Sequence, residues 1–190
     1  MRFIGLSQLT IQASRRADEQ SDGPKRWIDR YLMGNLLATA RSSAAFVDEE
    51  QMIDSVNDFA DRLNRLDPNE VAFVLRVDEL VDQTSPATLQ IAYPAIFRFF
   101  ETHPENDCGM PGTLVHMMED HYPNYVDELI ESIGRTPSTN TVLMVNRILN
   151  SKIDGALRSR LIECLQTAIE NENASRLVVE ESKSYLERHT

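Results

Sequence analysis

Apolar residues recur at helical spacing along most of the chain. Between Tyr122 and Ser151, Val126, Leu129, Ile130 and Ile133 fall at i, i+3, i+4 and i+7. That spacing puts one apolar stripe on a helix. Gly134 is expected to stop this helix in the left-handed conformation. Thr136 is expected to cap a second helix, with Pro137 in its first turn. Val142, Val145 and Leu149 continue the apolar face, and Asn150-Ser151 closes it. Two amphipathic helices joined by a polar turn cannot bury both stripes alone, so they need neighbours stacked on them. Asn146 falls among these apolar positions, and its amide needs partners; a neighbouring loop or helix end is expected to supply them.

The rest of the chain reads as those neighbours. The first 21 residues are expected to be a loose arm, and residues 22–190 a single α-helical domain. Asp22 and Pro24 open a helix running to about Ser42. The next helix is expected over about 48–66, with Met52, Ile53, Val56, Phe59, Ala60 and Leu63 on its apolar face. Glu50, Asp54, Asp58 and Asp61 then share the opposite face. Asp67-Pro68-Asn69-Glu70 reads as a helix start. The helix after it is apolar on most sides, which predicts a place inside the stack. Ser85-Pro86 opens another, and Pro94 within it predicts a kink or two short helices meeting near Tyr93. Two prolines and two glycines make 103–112 a loop. A short helix at 113–121, the hairpin, and stripes through Leu157–Ile169 and Leu177–Leu186 complete the chain. The fold class is all-α: stacked helical hairpins, HEAT-like, or an irregular helical bundle.

Composition adds a charge argument. The chain has 190 residues and a net charge of -11. That disfavours nucleic-acid and anionic membrane partners and favours a basic protein. From Asp48 to Asp82 there are eleven acids and three arginines. From Glu101 to Glu131 there are eight acids and no lysine or arginine. Such blocks ordinarily serve as solvated helix faces. Two blocks without matching lysines point instead to a contact surface. Glu50, Asp54, Asp58, Asp61, Glu119, Asp120, Asp127 and Glu131 are the expected partner-binding residues.

Chemistry is otherwise sparse. His116 and Asp120 lie at i, i+4, but no third ligand accompanies them, so no metal or cofactor is implied. His103, Asp107 and Cys108 match a nucleophile-base cluster only in residue type. Tyr93, Phe97, Phe99 and Phe100 fit core packing at helical spacing better than a ligand pocket. Cys108 and Cys164 are expected to be two free thiols. The N-terminus lacks the unbroken apolar core of a secretion signal, and no apolar run is long enough to span a membrane. A cytoplasmic protein without catalytic activity is expected.

The segment LIESIGRTPSTNTVLMVNRILNS, followed by LRSRLIECLQTAIEN, resembles small all-helical immunity proteins of bacterial toxin systems, the immunity protein 30 type. The resemblance covers roughly the last 70 residues. It implies a protein that binds and neutralises a cognate toxin domain, and charge makes that domain basic. A helical-repeat scaffold for another intracellular protein is the alternative. An enzyme would require several carboxylates and histidines to converge on a pocket.

Overall fold

Side chains at the helix ends decide where each element begins. The computed structural model describes residues 52–190. The expected arm at 1–21, the helix expected from Pro24 to Ser42, and Glu50 lie outside the described residues. Within them the order is α1 (Val56–Leu63), α2 (Phe73–Asp82), α3 (Pro86–Leu89), α4 (Tyr93–Thr102), α5 (Thr113–Glu119), α6 (Val126–Arg135), α7 (Thr139–Leu149), α8 (Gly155–Glu170) and α9 (Arg176–His189). The fold is all-α. One isolated bridge, between Ile53 and Thr84, is the sole β pairing among the described residues.

Several starts follow the sequence. Ser85 caps α3 by accepting from the Thr88 N–H, with Pro86 at the first helical position. Pro94 falls in the first turn of α4, where its missing N–H costs nothing, so α3 and α4 are two helices meeting near Tyr93. Asn150 closes α7.

Others differ, each for a local reason. Of the helix expected over about 48–66, the described residues 52–55 are not helical, and α1 starts at Val56. Ile53 is held extended instead, its N–H donating to Gln83 O (2.8 Å) and its O accepting from the Ser85 N–H (2.9 Å). Asp67 does not start a helix. Its carboxylate accepts from both the N–H and the Nδ2 of Asn69, each at 2.9 Å, which closes a local turn. α2 therefore waits until Phe73. Gly134 does not stop α6, which runs through it to Arg135. The last carbonyls of α6 are satisfied from outside: Asn171 Nδ2 donates to Ile133 O and Gly134 O, and Asn173 Nδ2 to Arg135 O. The cap of α7 is Ser138, not Thr136. Ser138 Oγ accepts from the Thr141 N–H while Thr141 Oγ1 accepts from the Ser138 N–H.

α4 lies at the centre, packed on α1, α6 and α7. Ile96, Phe97, Phe99 and Phe100 are fully buried. Burying each such side chain contributes roughly 1.5–3 kcal/mol. Phe99 stacks on Phe73 with ring centroids 5.9 Å apart. α8 and α9 form the most extensive helix pair, and α9 also packs on α7. α2 is marginal. It packs chiefly on α1 and α5 and buries only Phe73, Val77 and Leu80. The expectation that it lies inside the stack is therefore not met: Val71, Val74 and Leu75 face outward.

Candidate functional site

The eight expected contact residues separate into two classes once their neighbours are known. Glu50 is outside the described residues. Asp54 is exposed on the extended segment before α1, not on a helix. A single four-acid helical stripe is thus not formed, because Ile53 pairs with Thr84 and the helix starts two residues after Asp54. Asp82, at the end of α2, is also exposed. Asp58 and Asp61 are exposed on α1, and Asp58 pairs with Arg62 at 3.3 Å.

The acids from 101 to 131 tell a different story. Their arginines come from elsewhere in the chain. Arg147 holds Glu119 through two bonds, one from Nε and one from Nη2 (2.8 Å). Arg160 pairs with Asp127 at 2.7 Å. Arg135 reaches Glu101 and Glu128 at 2.8 Å each and Glu131 at 3.7 Å. Arg98 adds a second partner for Glu101. Glu119, Asp127 and Glu131 are therefore paired within the fold. Of the expected residues in this block, only Asp120 is exposed without an arginine among the described residues.

The segment 52–82 keeps its surplus. It carries eight acids and three arginines. Arg62 pairs with Asp58 and Arg76 with Glu70. Asp78 accepts a hydrogen bond from Thr113 Oγ1. Asp54, Asp61, Glu79 and Asp82 are left exposed without an arginine among the described residues. Glu79 and Asp82 were not among the expected residues. Their placement runs against the helix that bears them: α2 has no acid in its first turn and no base in its last. Acids near a helix C-terminus oppose the macrodipole and cost about 0.3–1 kcal/mol each. Asp78 and Asp82, at i, i+4, add like-charge repulsion. The signal was present in the sequence, but it needed the true start of α2.

Reactive chemistry is weak at the cysteines. Cys108 and Cys164 are free and buried. Burial pushes both thiols up to about 12, which removes the thiolate needed for attack. His103 packs its ring on Phe99, 4.7 Å between centroids, instead of activating Cys108. Among the described residues no group of three or more His, Cys, Asp or Glu is placed to hold a metal ion. No helix among them is long and apolar enough to cross a membrane.

Two of the open clefts among the described residues carry acids. One, of about 580 Å³, has Asp120 on its wall beside Ile91, Tyr93 and Tyr122. The other, of about 520 Å³, lies between the 105–107 loop and α9, and Glu181 lines it. One carboxylate oxygen of Glu181 is buried without a hydrogen-bond partner. Burial holds that carboxyl above the ordinary carboxylate range.

Against known proteins, the chain matches no family model, no curated protein and no solved structure.

Proposed function

We propose that this protein is a non-catalytic binder of the immunity class, acting in the cytoplasm to neutralise a basic toxin domain. The observation that carries the reading is the contrast between the two acidic blocks. Acids from 101 to 131 are largely neutralised by Arg98, Arg135, Arg147 and Arg160. Those on α1, α2 and the segment before α1 are largely not. Unmatched acids at the wrong end of α2 lower the stability of the free protein. A basic partner would offset that loss and would be drawn in by the field.

The test is genetic and biochemical. The product of the adjacent upstream reading frame is expressed through its C-terminal domain, alone and together with this protein. The reading expects growth arrest by the domain alone, relieved on co-expression, and a stable complex whose association slows as salt is added. A neighbouring product without toxicity, or toxicity that co-expression leaves untouched, would end the immunity reading.

A further inference from the structure

α2 leaves an apolar patch uncovered beside its acids. Val71 is fully exposed, Leu75 is 65% exposed and Val74 is 42% exposed. Single exposed aliphatics are ordinary, but three within five residues, one just before α2 and two in its first turn, are not explained by solubility. Helical spacing sets these residues in register with the acids. Val74, Asp78 and Asp82 follow one another at i, i+4, and Leu75 and Glu79 form the parallel row. The Val74 row borders the 109–113 segment, where Val74 lies against Gly109 and Asp78 accepts from Thr113 Oγ1. The Leu75–Glu79 row faces outward, apolar in its first turn and acidic in the next, with Asp82 exposed at the helix end. Arg76, the one base on this helix, is engaged by Glu70 at 2.9 Å.

The geometry points to the outward side of α2 as a docking surface for a basic amphipathic helix of the partner. An apolar residue of that helix covers Val74 and Leu75, and lysines or arginines one or two turns away meet Glu79 and Asp82. Charge complementarity selects this occupant. An acidic or neutral helix could cover the aliphatics, but it would leave the unmatched carboxylates at the α2 terminus as they are. The inference rests on the reading of the protein as a binder of a basic partner. It adds that the contact is anchored by apolar burial as well as steered by charge.

The test uses the full chain and a fluorescently labelled synthetic peptide. Leucines stand at i, i+3, i+4 and i+7 of the peptide, with lysine and arginine elsewhere. A control peptide has serine for each leucine. Binding is followed by anisotropy at low and high salt, and by amide shifts in NMR spectra. The leucine peptide is expected to shift amides of 71–82. Leu75→Ser is expected to weaken binding about tenfold at both salt concentrations. Glu79→Lys with Asp82→Lys is expected to weaken it at low salt and little at high salt. The serine peptide is expected to bind far more weakly. Leu75 is largely exposed, so the fold of Leu75→Ser is retained, and circular dichroism checks this.

If Leu75→Ser binds as the parent does while the charge reversals weaken binding, the apolar anchor is wrong and the acidic reading stands. A binding loss confined to Leu75→Ser overturns both, since a purely apolar site has no preference for a basic partner. Wild type sedimenting as a dimer that Leu75→Ser dissolves would assign the patch to a second copy of the chain, overturning the proposal. Peptide binding at α2 without any toxic neighbour would leave the surface intact and remove the immunity reading alone.

Discussion

His189 Nε2 lies 2.9 Å from Asn146 Oδ1, joining the end of α9 to the middle of α7 across 43 residues. The amide oxygen only accepts, so the imidazole N–H donates. Asn146 is 6% exposed, and a helix end supplies its partner, as its place among apolar residues requires. Arg158 fixes the same corner by donating to Leu149 O and His189 O. Asn146→Ala is expected to lower unfolding stability by about 1 kcal/mol, the net worth of a typical hydrogen bond, since the His189 donor is half-buried. Urea denaturation measures it, and a loss under about 0.5 kcal/mol would deny the bond a structural role.

The same corner responds to pH. Burial, then the positive charges of Arg158 and Arg188, hold His189 below its ordinary 6.5. As pH falls, the unfolded chain binds this proton before the folded one does. The contribution of His189 is therefore full above 6.5 and is lost as pH falls through the lowered folded value. Denaturation midpoints measured across that window should fall for the parent and flatten for His189→Gln.

Glu119 and Arg147 make a second testable pair. A double-mutant cycle on Glu119→Ala and Arg147→Ala is expected to give a coupling of about 1 kcal/mol, above an exposed pair because both side chains are partly buried. Glu119→Ala should reduce stability and leave association with a basic partner nearly unchanged. A large slowing of association with stability intact would return Glu119 to the contact surface.

Asp61→Lys, Glu79→Lys and Asp82→Lys together should act in the opposite sense. The changes remove like-charge repulsion and place bases at the end of α2, where the macrodipole favours them. Thermal unfolding should be unchanged or shifted upward, while capture of the basic partner at low salt slows strongly. Loss of the fold in this variant would show that these acids have a structural role.

Glu181 gives a pH signature of its own. Its carboxyl is raised from 4.5 by burial, so the folded state holds the proton to higher pH than the unfolded state. Below 4.5 no penalty exists; as pH rises through the folded value the penalty grows and then stays. Glu181→Gln should thus raise the unfolding temperature at neutral pH and leave it unchanged below 4.5. Equal effects at both pH values would place the cause in packing.

Local chemistry was legible in the sequence where nothing distant competed with it. Ser85-Pro86 caps a helix because both partners lie within three residues. The aromatic run of α4 is core because its spacing leaves it no other face. Misreadings came where a distant residue decides. Ile53 is extended because the far end of α2 supplies its partner. Gly134 stays helical because Asn171 and Asn173 take over the capping of α6. The block from 101 to 131 looked unmatched because Glu119, Asp127 and Glu101 lie 28, 33 and 34 residues from Arg147, Arg160 and Arg135. Asp67 misled for the reverse reason: its own neighbour Asn69 took the carboxylate.

The capping of α6 by the α8–α9 loop also orders events during synthesis. A chain emerges from the ribosome N-terminus first. α6 is complete in sequence at Arg135, yet its terminal carbonyls wait for Asn171 and Asn173. A nascent chain arrested after α7 therefore carries a frayed α6, with the stripe that α8 covers still facing water. Translation must deliver α8 and the loop behind it before this part of the core can close, so a chaperone would find its target in the interval between those two helices.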